Sequence, residues 1–149
     1  MTRKIILSGG GTGGHIYPAV AVAEALKRRF GGDVELLFVG AEGKMEMEKV
    51  PALGYRIVGL PIAGLQRRLD WRNLAVPFKA VKSIRMAKRI IRDFGADAVV
   101  GFGGYASAPV LWAAQRMGVP TVIQEQNSYA GVTNKILAKG ARRICTAYE

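Results

Sequence analysis

The chain has one cysteine, Cys145, and one histidine, His15, among its 149 residues. A lone cysteine excludes an internal disulfide framework. With no Asp-x-Asp pair beside it, one histidine and one cysteine make a poor metal set, so no metal and no cofactor is expected. Cys145, closing an apolar stretch, reads as a core residue in a reducing cytoplasm. No apolar run approaches the length of a spanning helix, and the opening "MTRKIILSGG" lacks the long apolar region of a signal peptide. Acidic residues are also scarce: 11 Asp and Glu stand against 22 Lys and Arg, for a formal net charge of +11. The excess is concentrated. Arg67, Arg68, Arg72, Lys79, Lys82, Arg85, Lys88, Arg89 and Arg92 lie between Gln66 and Asp93, offset only by Asp70 and Asp93. Such a field attracts anionic surfaces, either nucleic acid or phospholipid headgroups.

Glycine is plentiful, with 19 residues, and its placement is informative. In "ILSGGGTGGHIYPAVAVAEAL", residues 6–26, Gly9, Gly11 and Gly14 have G-x-G-x-x-G spacing, and His15 follows directly. Lys4–Ser8 reads as a buried strand. Pro18–Phe30 carries Val22, Ala25, Leu26 and Phe30 at helical spacing. The glycines therefore sit at a strand-to-helix turn, where free N–H groups and the positive end of a helix attract an anion such as a diphosphate. The nicotinamide version of this motif also wants an acidic residue closing the second strand. Here Val34–Val39 runs into Gly40-Ala41, and Glu42 comes one step late. An NAD(P)-binding oxidoreductase domain stays open as an alternative.

Periodicity places further strands at Arg56–Leu60, Ala98–Gly101, Thr121–Gln124 and Arg143–Thr146. Helices are expected at Glu42–Val50, from about Trp71 to Phe94 with a break or kink at Pro77, at Ser107–Met117 and at Val132–Ala138. The strict alternation specifies one doubly wound, Rossmann-like α/β domain over residues 1–149, with a parallel sheet covered on both faces. The segments "SGGGTGGH", "GFGGYASAP" and "QEQNSYAG" each follow a strand, so they converge on one crevice at the carboxyl edge.

With those segments in place, the chain resembles the MurG family, bacterial enzymes that transfer N-acetylglucosamine from UDP-GlcNAc to the membrane-bound acceptor lipid I. "GGTGGHIYPAVAVAEAL", "GFGGYASAPVLWA" and "QEQNSYAGVTNKILA" carry the resemblance, in this order, across essentially the whole chain. Gln124 and Ala108 depart from the common pattern, at places often held by histidine and glycine. The resemblance implies the N-terminal half of a two-domain GT-B glycosyltransferase fold, with a C-terminal donor domain absent from this chain. It implies a peripheral enzyme on the cytoplasmic face of the inner membrane and no catalytic turnover by this half alone. A naturally split glycosyltransferase subunit is the neighbouring alternative. A nucleic-acid module would explain the charge but leaves His15 and the three loops without a task.

The resemblance also assigns roles. Imidazole is the side chain best suited to take a proton near neutral pH, and His15 is expected as general base; a His15 that only hydrogen-bonds within the loop or positions the acceptor is the alternative. Thr12, Gly13 and Gly14 are expected to contact part of the donor, and Asn127 the GlcNAc, its amide offering a donor and an acceptor to sugar hydroxyls; a turn-forming Asn127 is the alternative. Glu125 orients His15, binds the acceptor, or serves as a buried structural carboxylate. Gly103, Gly104, Tyr105 and Ser107 are expected at the acceptor diphosphate. With no carboxylate nucleophile evident, metal-independent displacement with inversion is expected. Trp71, Leu74 and Phe78, with Val81 on the same face and Lys79, Lys82 and Arg85 nearby, form an apolar strip flanked by cations, suited to an anionic membrane surface or, alternatively, to an ordinary core contact.

Overall fold

The computed structural model describes residues 1–62, 76–104, 106–128 and 130–148. Six strands form one parallel sheet: β1 (Arg3–Ser8), β2 (Val34–Ala41), β3 (Ile57–Leu60), β4 (Ala98–Gly101), β5 (Thr121–Glu125) and β6 (Arg143–Thr146), in the order β3-β2-β1-β4-β5-β6. Among the described residues five α-helices connect them: α1 (Gly13–Phe30), α2 (Glu46–Ala52), α3 (Val76–Phe94), α4 (Ser107–Arg116) and α5 (Val132–Leu137). This is the doubly wound order, with its switch point between β1 and β4.

Successive side chains in a strand point to opposite faces, and the core divides accordingly. Ile6, Leu37 and Val39 pack with Ala87, Ile91, Val110 and Leu111 on the face covered by α3 and α4. Leu7 and Phe38 pack with Ile16, Ala19, Ala23 and Val50 beneath α1 and α2. The register aligns Ser8 with both Val39 and Gly101, so the loops leaving β1, β2 and β4 emerge side by side.

Three local expectations change. Helix α1 begins at Gly13, not Pro18, which puts His15 in its first turn. Pro18 lies inside the helix and lacks the N–H that would bond the Gly14 carbonyl; Gln126 Nε2 supplies that bond from outside at 2.8 Å. Helix α2 begins at Glu46, leaving 42–45 as a turn. Helix α3 is described from Val76, and the expected start near Trp71 lies outside the described residues. Finally, Cys145 is exposed and is not a core residue, because β6 pairs only with β5 at the edge of the sheet.

Candidate functional site

A cavity of about 550 Å³ opens at the carboxyl edge, where the loops after β1, β2, β4 and β5 meet. Its size suits a small-molecule site. Gly10, Gly11, Thr12 and His15 form one wall, Gly103 and Gly104 another, and Asn127 and Asn134 a third.

His15 Nδ1 lies 3.0 Å from the Gly10 carbonyl oxygen and 3.1 Å from Thr12 Oγ1. A carbonyl can only accept, so Nδ1 carries a proton, which in the neutral ring leaves the lone pair on Nε2. The second glycine loop makes room for this arrangement. A Cβ on Gly103 would stand 3.1 Å from His15 Nε2, and one on Gly104 would stand 2.2 Å from the Gly10 oxygen. Both glycines have positive φ, 99° and 85°, which a side chain would strain. Ala108, by contrast, is already in α4 and does not touch this approach.

Among the described residues Glu125 makes no bond to His15, whose ring partners there are Gly10 and Thr12. Its Oε1 accepts from the Asn127 backbone N–H at 3.0 Å and from Asn127 Nδ2 at 3.1 Å; Oε2 accepts from Gly131 N–H at 3.1 Å and from Asn134 Nδ2 at 2.9 Å. Burial by itself would raise its carboxyl, but these four donors outweigh burial and hold it below the ordinary carboxylate range. Glu125 thus folds the loop after β5 and presents Asn127, which is exposed at the cavity.

Several residues at the site carry no signature in the sequence. Gln126 Nε2 bonds the Gly14 carbonyl at 2.8 Å and the Phe102 carbonyl at 3.3 Å, tying the β5 loop to both glycine loops. Glu46, fully buried, accepts from Gly11 N–H and Ala41 N–H beneath the first loop. Lys44 reaches the cavity rim because 42–45 is a turn. Asn134 is 5% exposed, and among the described residues its Oδ1 has no hydrogen-bond partner.

The remaining expected residues fall elsewhere. Gly13 and Gly14 belong to the first turn of α1 outside the cavity wall, which leaves Thr12 as the member of that trio lining it. Ser107 is buried, and its hydroxyl donates to the Gly104 carbonyl at 3.0 Å, so it braces the second loop and does not face a ligand. Tyr105, Trp71 and Leu74 lie outside the described residues. Phe78 and Val81 are 78% and 51% exposed on α3, with Lys79, Lys82 and Arg85 also exposed. The buried face of that helix is instead Ser83, Ala87, Ile91 and Phe94. Among the described residues, no helix is long and apolar enough to cross a membrane.

Residues 5–146 match the family model described as the glycosyltransferase family 28 N-terminal domain. An enzyme of Parabacteroides distasonis named UDP-N-acetylglucosamine--N-acetylmuramyl-(pentapeptide) pyrophosphoryl-undecaprenol N-acetylglucosamine transferase is 60% identical over 146 residues, 98% of this chain and 39% of that protein. The protein of the same name from Cytophaga hutchinsonii is 61% identical over 146 residues, again 98% of this chain and 39% of its own length. The chain therefore spans about two-fifths of these relatives. The crystal structure of Acinetobacter baumannii MurG superposes with a TM-score of 0.87 at 34% identity, covering 99% of this chain and 42% of that one. On the family match, which takes in nearly the whole sheet and all three loops, the chain belongs to the glycosyltransferase family 28 N-terminal domain family.

Proposed function

We propose that this chain is the acceptor-side half of a peptidoglycan glycosyltransferase that moves GlcNAc from UDP-GlcNAc onto lipid I. The observation that carries the reading is His15: Nδ1 is held by the Gly10 carbonyl, and its ring lines a cavity built from three strand-end loops. In the reaction, a hydroxyl of the acceptor sugar attacks the anomeric carbon of GlcNAc. The bond from that carbon to the β-phosphate oxygen breaks, UDP leaves with the electron pair, and the hydroxyl proton passes to Nε2. One displacement inverts the anomeric centre.

The acceptor diphosphate meets the second glycine loop at Gly103 and Gly104, with the Lys44 ammonium at the rim to offset its charge. Asn127, presented by Glu125, contacts the donor sugar. Charge on the leaving UDP is met by N–H groups and cations without a divalent ion. Most of the UDP-GlcNAc contacts belong to a C-terminal donor domain, so this half alone does not turn over. The exposed Phe78, Val81, Lys79, Lys82 and Arg85 support a peripheral position on the cytoplasmic face of the inner membrane, where a lipid-linked acceptor would reside. A dinucleotide cofactor fits less well, because the buried Glu46 carboxylate already takes the Gly11 N–H that a diphosphate would need.

The test is transfer of labelled GlcNAc to lipid I by the full-length protein, with chelator present. His15→Ala should lower kcat by about 10²–10⁴-fold, the usual contribution of a general base. A kcat within about threefold of the parent would remove His15 from the chemistry.

A further inference from the structure

We propose that Glu46 is a positioning residue for His15, acting through the peptide plane between Gly10 and Gly11; the consequence for rate rests on the general-base reading of His15. The Gly10 carbonyl and the Gly11 N–H belong to the same peptide bond. No cis peptide occurs among the described residues, so this unit is trans and its C=O and N–H point in opposite directions. Glu46 Oε2 holds the N–H from below at 3.1 Å. The carbonyl is thereby aimed upward at His15 Nδ1, 3.0 Å away. A carboxylate, a peptide and an imidazole form one hydrogen-bonded chain, in which each bond polarises the next.

Three features show that the chain is built and fixed. Glu46 is fully buried, and its second oxygen is pinned by Ala41 N–H at 2.9 Å at the end of β2. Its carboxylate fills the space that a side chain at Gly10 would need, since a Cβ there would stand 2.0 Å from Oε1. Gly104 closes against the Gly10 carbonyl from the other loop. The two glycines give the peptide freedom to turn over, because Gly11 has φ of 90°. Glu46 removes that freedom. Turned over, the same peptide would offer His15 an N–H in place of a carbonyl, leaving Nδ1 beside that donor and Thr12 Oγ1, a hydroxyl that can donate as readily as accept, so the bias toward Nδ1–H would be lost.

The experiment reads the tautomer of His15 directly, by ¹⁵N NMR of histidine-labelled full-length protein with the His15 signals assigned through His15→Gln. The parent should show the Nδ1–H form. Glu46→Ala should move His15 toward the Nε2–H form that free histidine prefers, and Glu46→Gln, which keeps one acceptor oxygen, should fall between. In turnover, kcat should drop in the same order, up to about 10²-fold, the scale of a misplaced catalytic group, with KM within threefold. A parent in the Nε2–H form would overturn the proposal, and this measurement needs no variant to fold. So would Glu46→Ala that retains both the Nδ1–H form and the parent kcat. If instead His15→Gln retains full turnover while the tautomer follows Glu46, the general-base reading fails and the structural link stands.

Discussion

Replacing Glu125 with glutamine tests whether one carboxylate organises the loop that carries Asn127. Each of its oxygens accepts two N–H bonds, from Asn127 on one side and from Gly131 and Asn134 on the other. In the amide, one oxygen becomes NH2, and two of the four donors then face another N–H. Asn134 is 5% exposed and can replace a lost bond with solvent far less readily than Asn127, which is exposed. The amide nitrogen should therefore turn toward Asn127 and leave the oxygen for Asn134. The loss is the charge assistance plus the Asn127 anchor, about 1–3 kcal/mol, or a melting temperature lower by on the order of 5 °C for a domain of this size. The pH dependence has a definite sign. Because the folded carboxyl lies below its ordinary value, the unfolded chain binds the proton first as pH falls. The stabilisation is complete above about pH 4.3 and is lost as the pH drops through the folded value. Thermal melting from neutral to acid pH should thus show the parent losing stability in acid more steeply than Glu125→Gln. Parallel curves, or melting points within about 1 °C of each other at neutral pH, would refute the organising role.

Much of the fold was legible because β1, β2, β4 and β5 are short, largely apolar runs that end at glycine or amide residues, and a parallel sheet of that kind permits few topologies. The misplaced boundaries have particular causes. Pro18 looks like a helix start only while the outside donor to Gly14, from Gln126 more than a hundred positions later, is unknown. Cys145 looks like core only while β6 is not known to sit at the edge. The site divides the same way. His15, Thr12, Gly103, Gly104 and Asn127 sit in glycine- or amide-rich turns that announce themselves locally. Glu46, Lys44, Gln126 and Asn134 act through contacts made only on closure of the sheet, and nothing about a Glu at the start of a short helix marks it as lying under a loop 35 positions earlier.

Gly104→Ala would set a Cβ 2.2 Å from the Gly10 oxygen at a φ of 85°, so overpacking and backbone strain together should destabilise the domain by about 2–5 kcal/mol. Chemical denaturation measures this, and a loss under about 1 kcal/mol would mean that the two loops are not in close contact. The membrane surface makes the last prediction. Helix α3 ends at Phe94, four residues before β4 opens at Ala98, which puts its other end, with Phe78 and Lys79, at the same edge of the sheet as the cavity. The proposed lipid-linked acceptor would require that edge to face the headgroups. Phe78 and Val81 are exposed, so changing both to serine should alter stability by no more than about 0.5 kcal/mol each, while weakening attachment to vesicles. Each cation near an anionic surface contributes about 1 kcal/mol. Reversing Lys79, Lys82 and Arg85 to glutamate therefore removes at least about 3 kcal/mol, more than 10²-fold in partitioning. Co-sedimentation with vesicles of rising anionic lipid content should track this, and binding by the parent should weaken as salt is added. If the glutamate variant still sediments with anionic vesicles, or the serine variant melts several degrees early, those side chains do not face lipid and the attachment must be sought on another surface.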